Sequence, residues 1–313
     1  NEVFDNTKDV AELYKQNVLA GAGTNGWTAS LVLDASGKNQ QKINDIQAKG
    51  LPLITYFGAI ADGTFRKIKD VDTSITLAEV QSVGGASATL DNSHDWFIAQ
   101  RLANQNKHFR IGDASQLIID RPLIILHSFY TIYARPWQFA IKNIGVGTSG
   151  IIIGGVALAQ GVRICGGVRG VHWGAGRSGH GVEIAYGSRT NLSGMALYQN
   201  GGSGIYSGLN QHCWGLKADG IRATNNAING LDLEHRSSFQ KNAISITNSE
   251  INGNGINQDN GKPYYNDKIV TYDYGHGLKI SGTGYNLTGS TIEGNSGAGV
   301  YAGGTNVQQV LSG

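Results

Sequence analysis

The sequence predicts an all-β fold, a single-stranded parallel β-helix preceded by a small helix-containing region. A degenerate repeat occupies residues 139–313, and its apolar residues fall in short runs without helical spacing. Most copies have a period in the twenties, which is typical of solenoids. Glycine makes up 46 of the 313 residues, about twice the usual ~7%. Such a content suits a fold with many sharp corners, where positive φ angles are needed.

Each copy of the repeat carries two apolar residues five positions apart, then a Gly/Asn turn, then Gly followed by Val, Ile or Leu. One turn of chain buries few side chains, so its stability must come from stacking on neighbouring turns about 4.8 Å away. The apolar pairs are Phe139/Ile144, Val168/Trp173, Leu192/Leu197, Leu216/Ile221, Ile246/Ile251 and Leu287/Ile292. The Gly-apolar strand starts are Gly150-Ile151, Gly181-Val182, Gly204-Ile205, Gly230-Leu231, Gly255-Ile256 and Gly299-Val300, with Gly277-Leu278 opening an additional short strand.

Asparagine recurs just after the second apolar residue, at Asn200, Asn225, Asn254 and Asn295. Asparagine tolerates left-handed backbone angles, and stacked amides can hydrogen-bond from one turn to the next. We therefore expect an asparagine ladder at one corner of the fold.

The first 138 residues are organised differently from the repeat. Residues 1–50 are interpreted as a neck or adaptor segment, with short helices predicted over 6–18 and 39–48. Residues 51–138 are interpreted as the start of the β-helix, with strands at 51–57, 109–111, 117–119 and 123–126. A capping helix is predicted near 92–105, beginning after Asp91, Asn92 or Ser93. Such a helix would cover the otherwise unpaired edge of the first turn.

Composition and spacing exclude several classes of function. The net charge is +2 without a block of Lys or Arg, which gives no case for nucleic acid. No stretch is long and apolar enough to cross a membrane. The histidines lack the short ligand spacing of a zinc site, so neither a metal nor another cofactor is predicted. Cys165 and Cys213 lie about two turns apart, roughly 9–10 Å from the strand spacing. That is too far for a disulfide, so free buried thiols are expected, which fits assembly in a reducing cytoplasm.

The run Tyr56–Thr64 (YFGAIADGT) resembles the opening signature of the pectate-lyase-like superfamily of right-handed β-helices. Residues Asp91–Gln105 are similar to the capping helix of that superfamily, although the 26 residues Phe65–Leu90 intervene. Further upstream, Asn1–Asp5, Gly21–Ala29 and Gly37–Gln41 resemble segments that precede the β-helix in bacteriophage tailspikes.

The resemblance implies a right-handed helix and a homotrimer that binds, and usually cuts, a bacterial capsule or O-antigen polysaccharide. It also implies attachment to a virion tail or baseplate through the N-terminus. Such a protein would be assembled in the host cytoplasm and would act at the bacterial surface. The last residues, 306–313, read as the start of another turn without a cap. We therefore expect the β-helix to be truncated here or covered by a partner.

Candidate catalytic groups come from the strand that opens each repeat, where the second residue after Gly should point outward. That file contains Glu183, Tyr206, Asp232, Asn257, Lys279 and Tyr301. Glu183 and Asp232 would lie two strand spacings apart, roughly 9–10 Å. An inverting glycosidase separates its acid and base by about 6.5–9.5 Å. With Asp219 and Glu234 nearby in sequence, the predicted acid and base come from Glu183, Asp219, Asp232 and Glu234, each of which could also be an ordinary solvated residue of a solenoid exterior.

Candidate sugar-binding residues are aromatic or charged groups near that file. The step from Ile246 to Leu287 is about 17 residues longer than the 24-residue steps, and the extra residues are rich in tyrosine. Insertions in solenoids often line the binding face, and tyrosine stacks on sugars while its hydroxyl hydrogen-bonds. A plain surface loop or a trimer contact remains the alternative. The predicted substrate-binding residues are Tyr206, Arg222, His235, Tyr264, Tyr265, Tyr272 and Tyr274.

Three functions stay open from the sequence. The favoured one is an endo-acting glycoside hydrolase, in which one carboxylic acid protonates the leaving oxygen and a carboxylate activates water. The second is a polysaccharide lyase, with Tyr206, His235 or Lys279 as base and Arg222 neutralising a uronate carboxylate. The third is a receptor-binding spike without catalytic activity, which needs the aromatic surface but no convergent acid pair.

Overall fold

Most of the described chain consists of short β-strands that pair in parallel. The computed structural model describes residues 51–137, 139–145, 147–170, 179–234, 241–256, 275–303 and 308–312. From Leu53 onward they belong to one compact unit. The helices predicted over 6–18 and 39–48 lie outside the described residues. No helix of the described part is long and apolar enough to cross a membrane.

The first part of this unit is helical. A 3₁₀ helix spans Ile54–Phe57, and three α-helices follow within the described ranges: α1 Ile68–Val71, α2 Leu77–Gly84 and α3 His94–Asn104. Helix α3 confirms the predicted capping helix, and Ser93 is its N-cap because the Ser93 Oγ accepts from the Trp96 N–H. The strand predicted over 51–57 is wrong. Gly58 adopts φ 106° and donates to the Thr55 carbonyl, which closes a turn that the apolar, aromatic composition of this run had hidden.

Helix α3 covers the end of a sheet, as the sequence predicted. The side-chain amide of Gln100 donates to the Ile124 carbonyl at 2.9 Å and accepts from the Ile124 N–H at 2.8 Å, so it takes the place of a further strand. On the same helix the Asp95 carboxylate accepts from the backbone N–H groups of Ile60 and Ala61. These contacts tie the Tyr56–Thr64 run to the helix and to the first strands.

Short strands follow to the end of the described chain. Their bounds are β1 Phe109–Arg110, β2 Leu117–Ile119, β3 Leu123–Ile125, β4 Thr131–Tyr133, β5 Phe139–Asn143, β6 Ile151–Ile153, β7 Ala159–Gln160, β8 Arg163–Cys165, β9 Gly167–Gly170, β10 Val182–Ile184, β11 Tyr186–Ser188, β12 Asn191–Ser193, β13 Ala196–Tyr198, β14 Ile205–Tyr206, β15 His212–Trp214, β16 Lys217–Asp219, β17 Arg222–Thr224, β18 Leu231–Leu233, β19 Lys241–Thr247, β20 Glu250–Asn252, β21 Leu278–Ile280, β22 Thr283–Thr288, β23 Thr291–Glu293, β24 Val300–Ala302 and β25 Gln308–Ser312.

Within the described ranges these strands form four sheets, and every pairing in them is parallel. Sheet A has 11 strands, in which the runs β1-β4-β8-β12-β16 and β7-β11-β15 meet at β19, and β22 and β25 follow. Sheet B has the order β3-β6-β10-β14-β18-β21-β24, sheet C β13-β17-β20-β23 and sheet D β2-β5-β9. Each strand therefore pairs with strands of neighbouring repeats, and the core is a set of aligned apolar side chains.

The register of the strand pairs differs from the predicted alignment at several copies of the repeat. Leu192 is paired with Ala218, and Leu197 with Ala223, so the predicted members Leu216 and Ile221 lie two residues too early. Both are fully buried next to the aligned positions, and a search for large apolar side chains therefore prefers them to alanine. In sheet B, Leu231 is paired directly with Leu278. The start predicted as additional, Gly277-Leu278, is thus a full member of the sheet, whereas Ile256 lies outside the named strands.

The predicted asparagine ladder exists, with one residue exchanged. Asn226 replaces Asn225, and side-chain amides bond Asn200 to Asn226, Asn226 to Asn254 and Asn254 to Asn295 at 2.7–2.9 Å. Each Nδ2 after the first also donates to a backbone carbonyl, for example from Asn226 to Leu197. The left-handed conformation belongs to the preceding residue in every copy, namely Gln199, Asn225, Gly253 and Gly294. The ladder residues are thus free to turn their amides inward.

Both cysteines are free, as predicted. They are not stacked, however, because Cys165 lies in β8 and Cys213 in β15, which belong to different runs of sheet A. Cys213 is buried and Cys165 partly buried. Burial raises the pKa of the Cys213 thiol to about 12, so its thiolate is scarce at neutral pH.

Candidate functional site

The predicted outward file is aligned across sheet B. Glu183 is paired with Tyr206, Tyr206 with Asp232, Asp232 with Lys279, and Lys279 with Tyr301. The flanking residues, such as Val182 and Ile184, are fully buried in the core, so the file faces away from the core. Asn257, which the sequence placed between Asp232 and Lys279, lies outside the described residues.

The carboxylate of Glu183 is held at both oxygens by neutral donors. Ser149 Oγ donates to Oε2 at 2.8 Å, and Gln211 Nε2 donates to Oε1 at 2.7 Å. Gln211 is itself fixed, because its Oε1 accepts from the Gly208 N–H at 2.6 Å. This carboxylate therefore has a defined orientation while remaining partly exposed.

Asp232 and Glu234 lie two residues apart and so share one side of the chain. Asp232 is only 7% exposed and accepts from Asn229 Nδ2 at 2.9 Å. Glu234 forms an ion pair with Lys279, at 2.9 Å between Oε2 and Nζ. The Lys279 ammonium is almost fully buried, so this end of the file contains two carboxylates and a cation in a restricted space.

Tyr206 lies between the acids, and its environment limits what it can do. Its ring stacks on His180, with 3.9 Å between ring centroids and 5° between planes. Burial raises the pKa of the Tyr206 hydroxyl, and the carboxylates of Asp232, Glu183 and Glu234 raise it further. Tyr206 is therefore a protonated hydrogen-bond donor at neutral pH, and His180 covers one face of its ring.

His180 is fixed in its neutral form beside Tyr206. Its Nδ1 accepts from the Ser203 N–H at 2.9 Å, and burial lowers its pKa to about 4. The arrangement recurs along sheet B, where the ring of His276 stacks on Tyr301 and its Nδ1 accepts from the Ala298 N–H.

Lys241 is a buried charged residue near the site that the sequence did not point to. It begins β19, is fully buried, and donates through Nζ to the carbonyls of Gly208 (2.9 Å) and Gln211. Burial lowers its pKa to about 8, against the opposing effect of Cys213, Asp232 and Glu234. Lys241 thus anchors the turn that carries Gln211, which in turn orients Glu183. The available signal was weak, a lysine at the start of a strand whose later residues alternate between apolar and polar.

Two other predicted site residues lie elsewhere. Asp219 ends β16 in sheet A, where its Oδ1 accepts from Thr247 Oγ1 at 2.7 Å and Asn248 Nδ2 at 3.0 Å. Arg222 begins β17 in sheet C, pairs with Glu250 at 3.2 Å, and lies 4.1 Å from the ring centroid of Trp137. The structure therefore groups Glu183, Tyr206, Asp232 and Glu234 in sheet B, and does not bring Asp219 or Arg222 to them.

The remaining predicted substrate-binding residues lie outside the described residues, namely His235, Tyr264, Tyr265, Tyr272 and Tyr274. Among the residues that are described, no cluster of three or more His, Cys, Asp or Glu side chains could hold a metal ion. Comparison with known proteins adds no relative, since no family model, curated protein or solved structure matches this chain.

Proposed function

We propose that this chain forms a right-handed parallel β-helix and acts as a tailspike depolymerase, an enzyme that binds and endo-hydrolyses a bacterial surface polysaccharide. The parallel pairing of successive repeats and the asparagine ladder support the β-helix. The sequence resemblance supports the right-handed sense, the homotrimer and the attachment of the N-terminal segment to a virion tail.

The alignment of Glu183 and Asp232 on either side of Tyr206 carries the enzymatic part of the proposal. The two residues are two strands apart in register, which places their backbones about 9.6 Å from each other. Inverting hydrolysis needs carboxyl groups about 6.5–9.5 Å apart, with a water molecule between one of them and the sugar. This backbone separation lies at the upper edge of that range.

The surroundings suggest how the roles divide. Glu183, oriented by two donors and partly exposed, is the base that takes a proton from the attacking water. Asp232, aligned two strands from Glu183, is the acid that protonates the glycosidic oxygen. The Tyr206 hydroxyl, kept protonated, donates a hydrogen bond to the sugar between them.

Several observations favour the hydrolase over the lyase. A lyase needs a base next to a cation that neutralises the uronate carboxylate. Arg222 is in another sheet and already paired with Glu250, and the raised pKa of Tyr206 makes its phenolate a poor choice of base. Lys279 is held by Glu234. A spike without catalytic activity would have no use for an aligned, oriented acid pair.

The test is depolymerisation of capsular and O-antigen polysaccharides from a panel of Gram-negative strains. New reducing ends and the ultraviolet absorbance of unsaturated uronate are followed together for wild type, Glu183→Gln and Asp232→Asn. Reducing ends without absorbance, lost in both variants, are expected. Absorbance would establish a lyase instead, and binding without cleavage by wild type would establish the spike.

A further inference from the structure

A cleft lies at the corner between sheets A and C, away from the outward file of sheet B that contains Glu183, Tyr206 and Asp232 (the acid file). It has a volume of about 340 Å³. Its lining is mostly polar and includes Trp137, Arg222, Asn248, Glu250, Thr291 and Glu293. Asp219 adjoins it, since the Asp219 carboxylate accepts from the Asn248 amide. The proposed hydrolytic function makes no use of this cleft.

Trp137 is the unusual residue of the cleft. It adopts a left-handed conformation with φ 55°, which is costly for a bulky side chain, and it is nevertheless 44% exposed. Three contacts fix it there: its N–H donates to the Gly194 carbonyl, its Nε1 to the Gly220 carbonyl, and the Arg222 guanidinium covers one face of its ring. Since that face is covered and much of the residue is still exposed, the opposite face is open.

An indole that is held rigidly with an open face is the arrangement that binds the apolar face of a pyranose ring. The groups around it match the rest of such a ligand, because the Asn248 amide, the Thr291 hydroxyl and the Glu293 carboxylate can bond to sugar hydroxyls. Arg222 is neutralised by Glu250, so Glu293 and the adjoining Asp219 leave the cleft negative. A uronate would be repelled there.

We infer that this cleft is a second polysaccharide-binding site, separate from the acid file, which binds uncharged sugar residues on the open face of Trp137. The inference rests on the proposed function for the kind of polymer bound. It assigns Arg222, predicted from the sequence to bind substrate, to a positioning role in this cleft. A polymer engaged at two sites of one chain is held longer than at either alone.

The test measures binding to an array of purified capsular polysaccharides and lipopolysaccharides from Gram-negative strains, each scored as neutral or uronate-containing. All variants are made in a Glu183→Gln background, so that the polymers are not consumed. Trp137→Ala should weaken binding to neutral polymers about tenfold, the loss expected for one aromatic contact. Thr291→Tyr, which adds bulk to the lining of the cleft and leaves Trp137 and Arg222 unchanged in sequence, should do the same. Trp214→Ala, at an exposed tryptophan of sheet A, is the matched control.

The outcomes separate this inference from the proposed function. Three results would overturn the second site. They are unchanged binding in both cleft variants, binding of the parent Glu183→Gln protein to uronate polymers only, and no binding at all. So would dissociation of an oligomer in Trp137→Ala, measured by light scattering, because it would make this face a subunit contact. Cleavage by the protein with Glu183 restored, together with binding that does not depend on Trp137, would support the hydrolase and contradict the second binding site. Binding that depends on Trp137, without cleavage, would support the binding site in the cleft and contradict the hydrolase.

Discussion

Two files of aligned polar residues run across the repeats, and they differ in kind. The ladder at sheet C contains asparagine in each of four aligned copies, Asn200, Asn226, Asn254 and Asn295. The file at sheet B contains four kinds of side chain in five aligned copies, Glu183, Tyr206, Asp232, Lys279 and Tyr301. Both are set by the same parallel register, so the difference between them lies in the side chains alone.

The contrast shows how to separate structure from chemistry in a repeating fold. A corner that must be closed in the same way in each repeat selects one residue type, because each amide bonds to its copy above and below. A file whose members differ in charge does not stabilise by repetition. It places unlike groups about 4.8 Å apart, which suits proton transfer and sugar recognition. We therefore expect the ladder to control stability and the acid file to control activity.

Neutralising the acid file should give the largest effect. Glu183→Gln and Asp232→Asn should each reduce depolymerisation about 1,000-fold, within the range for general acid–base catalysis. The double variant should lose little more, because the two groups act on one transition state. Initial rates of reducing-end release measure this, with Asp113→Asn, an exposed carboxylate far along the chain, as the control. Equal activity in the control and the acid variants would show that the acid file does not control activity.

Breaking the ladder should reduce stability by about 3 kcal/mol. In Asn226→Ala, the backbone and side-chain N–H groups of Asn200 and the carbonyl of Leu197 each lose a partner in a buried place, and each unsatisfied group costs about 1–3 kcal/mol. Urea unfolding measures the loss. Asn225→Gly is the matched control, since Asn225 has φ 55° and glycine accepts that conformation without strain. A loss as large in the control would mean that the corner, rather than the amide ladder, provides the stability.

Replacing Lys241 should lower activity without lowering stability. Lys241→Met should lower activity about tenfold (about 1.4 kcal/mol), because the turn that places Gln211 on Glu183 loses its anchor. Stability to urea should be unchanged or higher, since burial disfavours the charged ammonium.

A pH profile distinguishes positioning by Lys241 from a merely structural role. Its pKa is about 8, so wild-type activity should fall as the pH rises through 8 and the charge on the anchor is lost. The Lys241→Met variant should lack that step, and Gln211→Ala in the same background should add little. A variant that retains the step would show that another group titrates there.

The last expected effect is a loss of stability in mild acid. The pKa of His180 is about 4 in the folded protein and about 6.5 in an unfolded chain. Between these values the unfolded state binds more protons, so the free energy of unfolding should fall as the pH decreases from 6.5 to 4. His180→Gln should flatten the profile between pH 4 and 6.5. It should leave the pH dependence of stability around pH 8 unchanged. An unchanged slope in the variant would assign the acid sensitivity to other groups.

The order of elements could be predicted more reliably than their register. The capping helix, the strands at 117–119 and 123–126 and the Gly-Val/Ile/Leu starts follow from capping residues and glycine spacing, which are local signals. Register depends on which residues of two distant segments face each other. At Ala218 and Ala223 the aligned residue is small, and a larger neighbour, Leu216 or Ile221, attracted the assignment. For the same reason the sequence assigned Asn225 to the ladder, whereas the structure places its neighbour Asn226 there.

The sequence by itself determined the short parallel-strand pattern and, to within one residue, the asparagine corner, because both recur with the period of the chain. It also placed Glu183 and Asp232 in one file, because each follows the recurring Gly-apolar strand start. Only the tertiary structure decided that Asp219 and Arg222 lie away from Glu183 and Asp232, that one face of Tyr206 is covered by His180, and that a buried Lys241 holds the turn beside Glu183. These relations join residues of different repeats and different sheets. Their distances are fixed by packing, which leaves no periodic trace in the sequence.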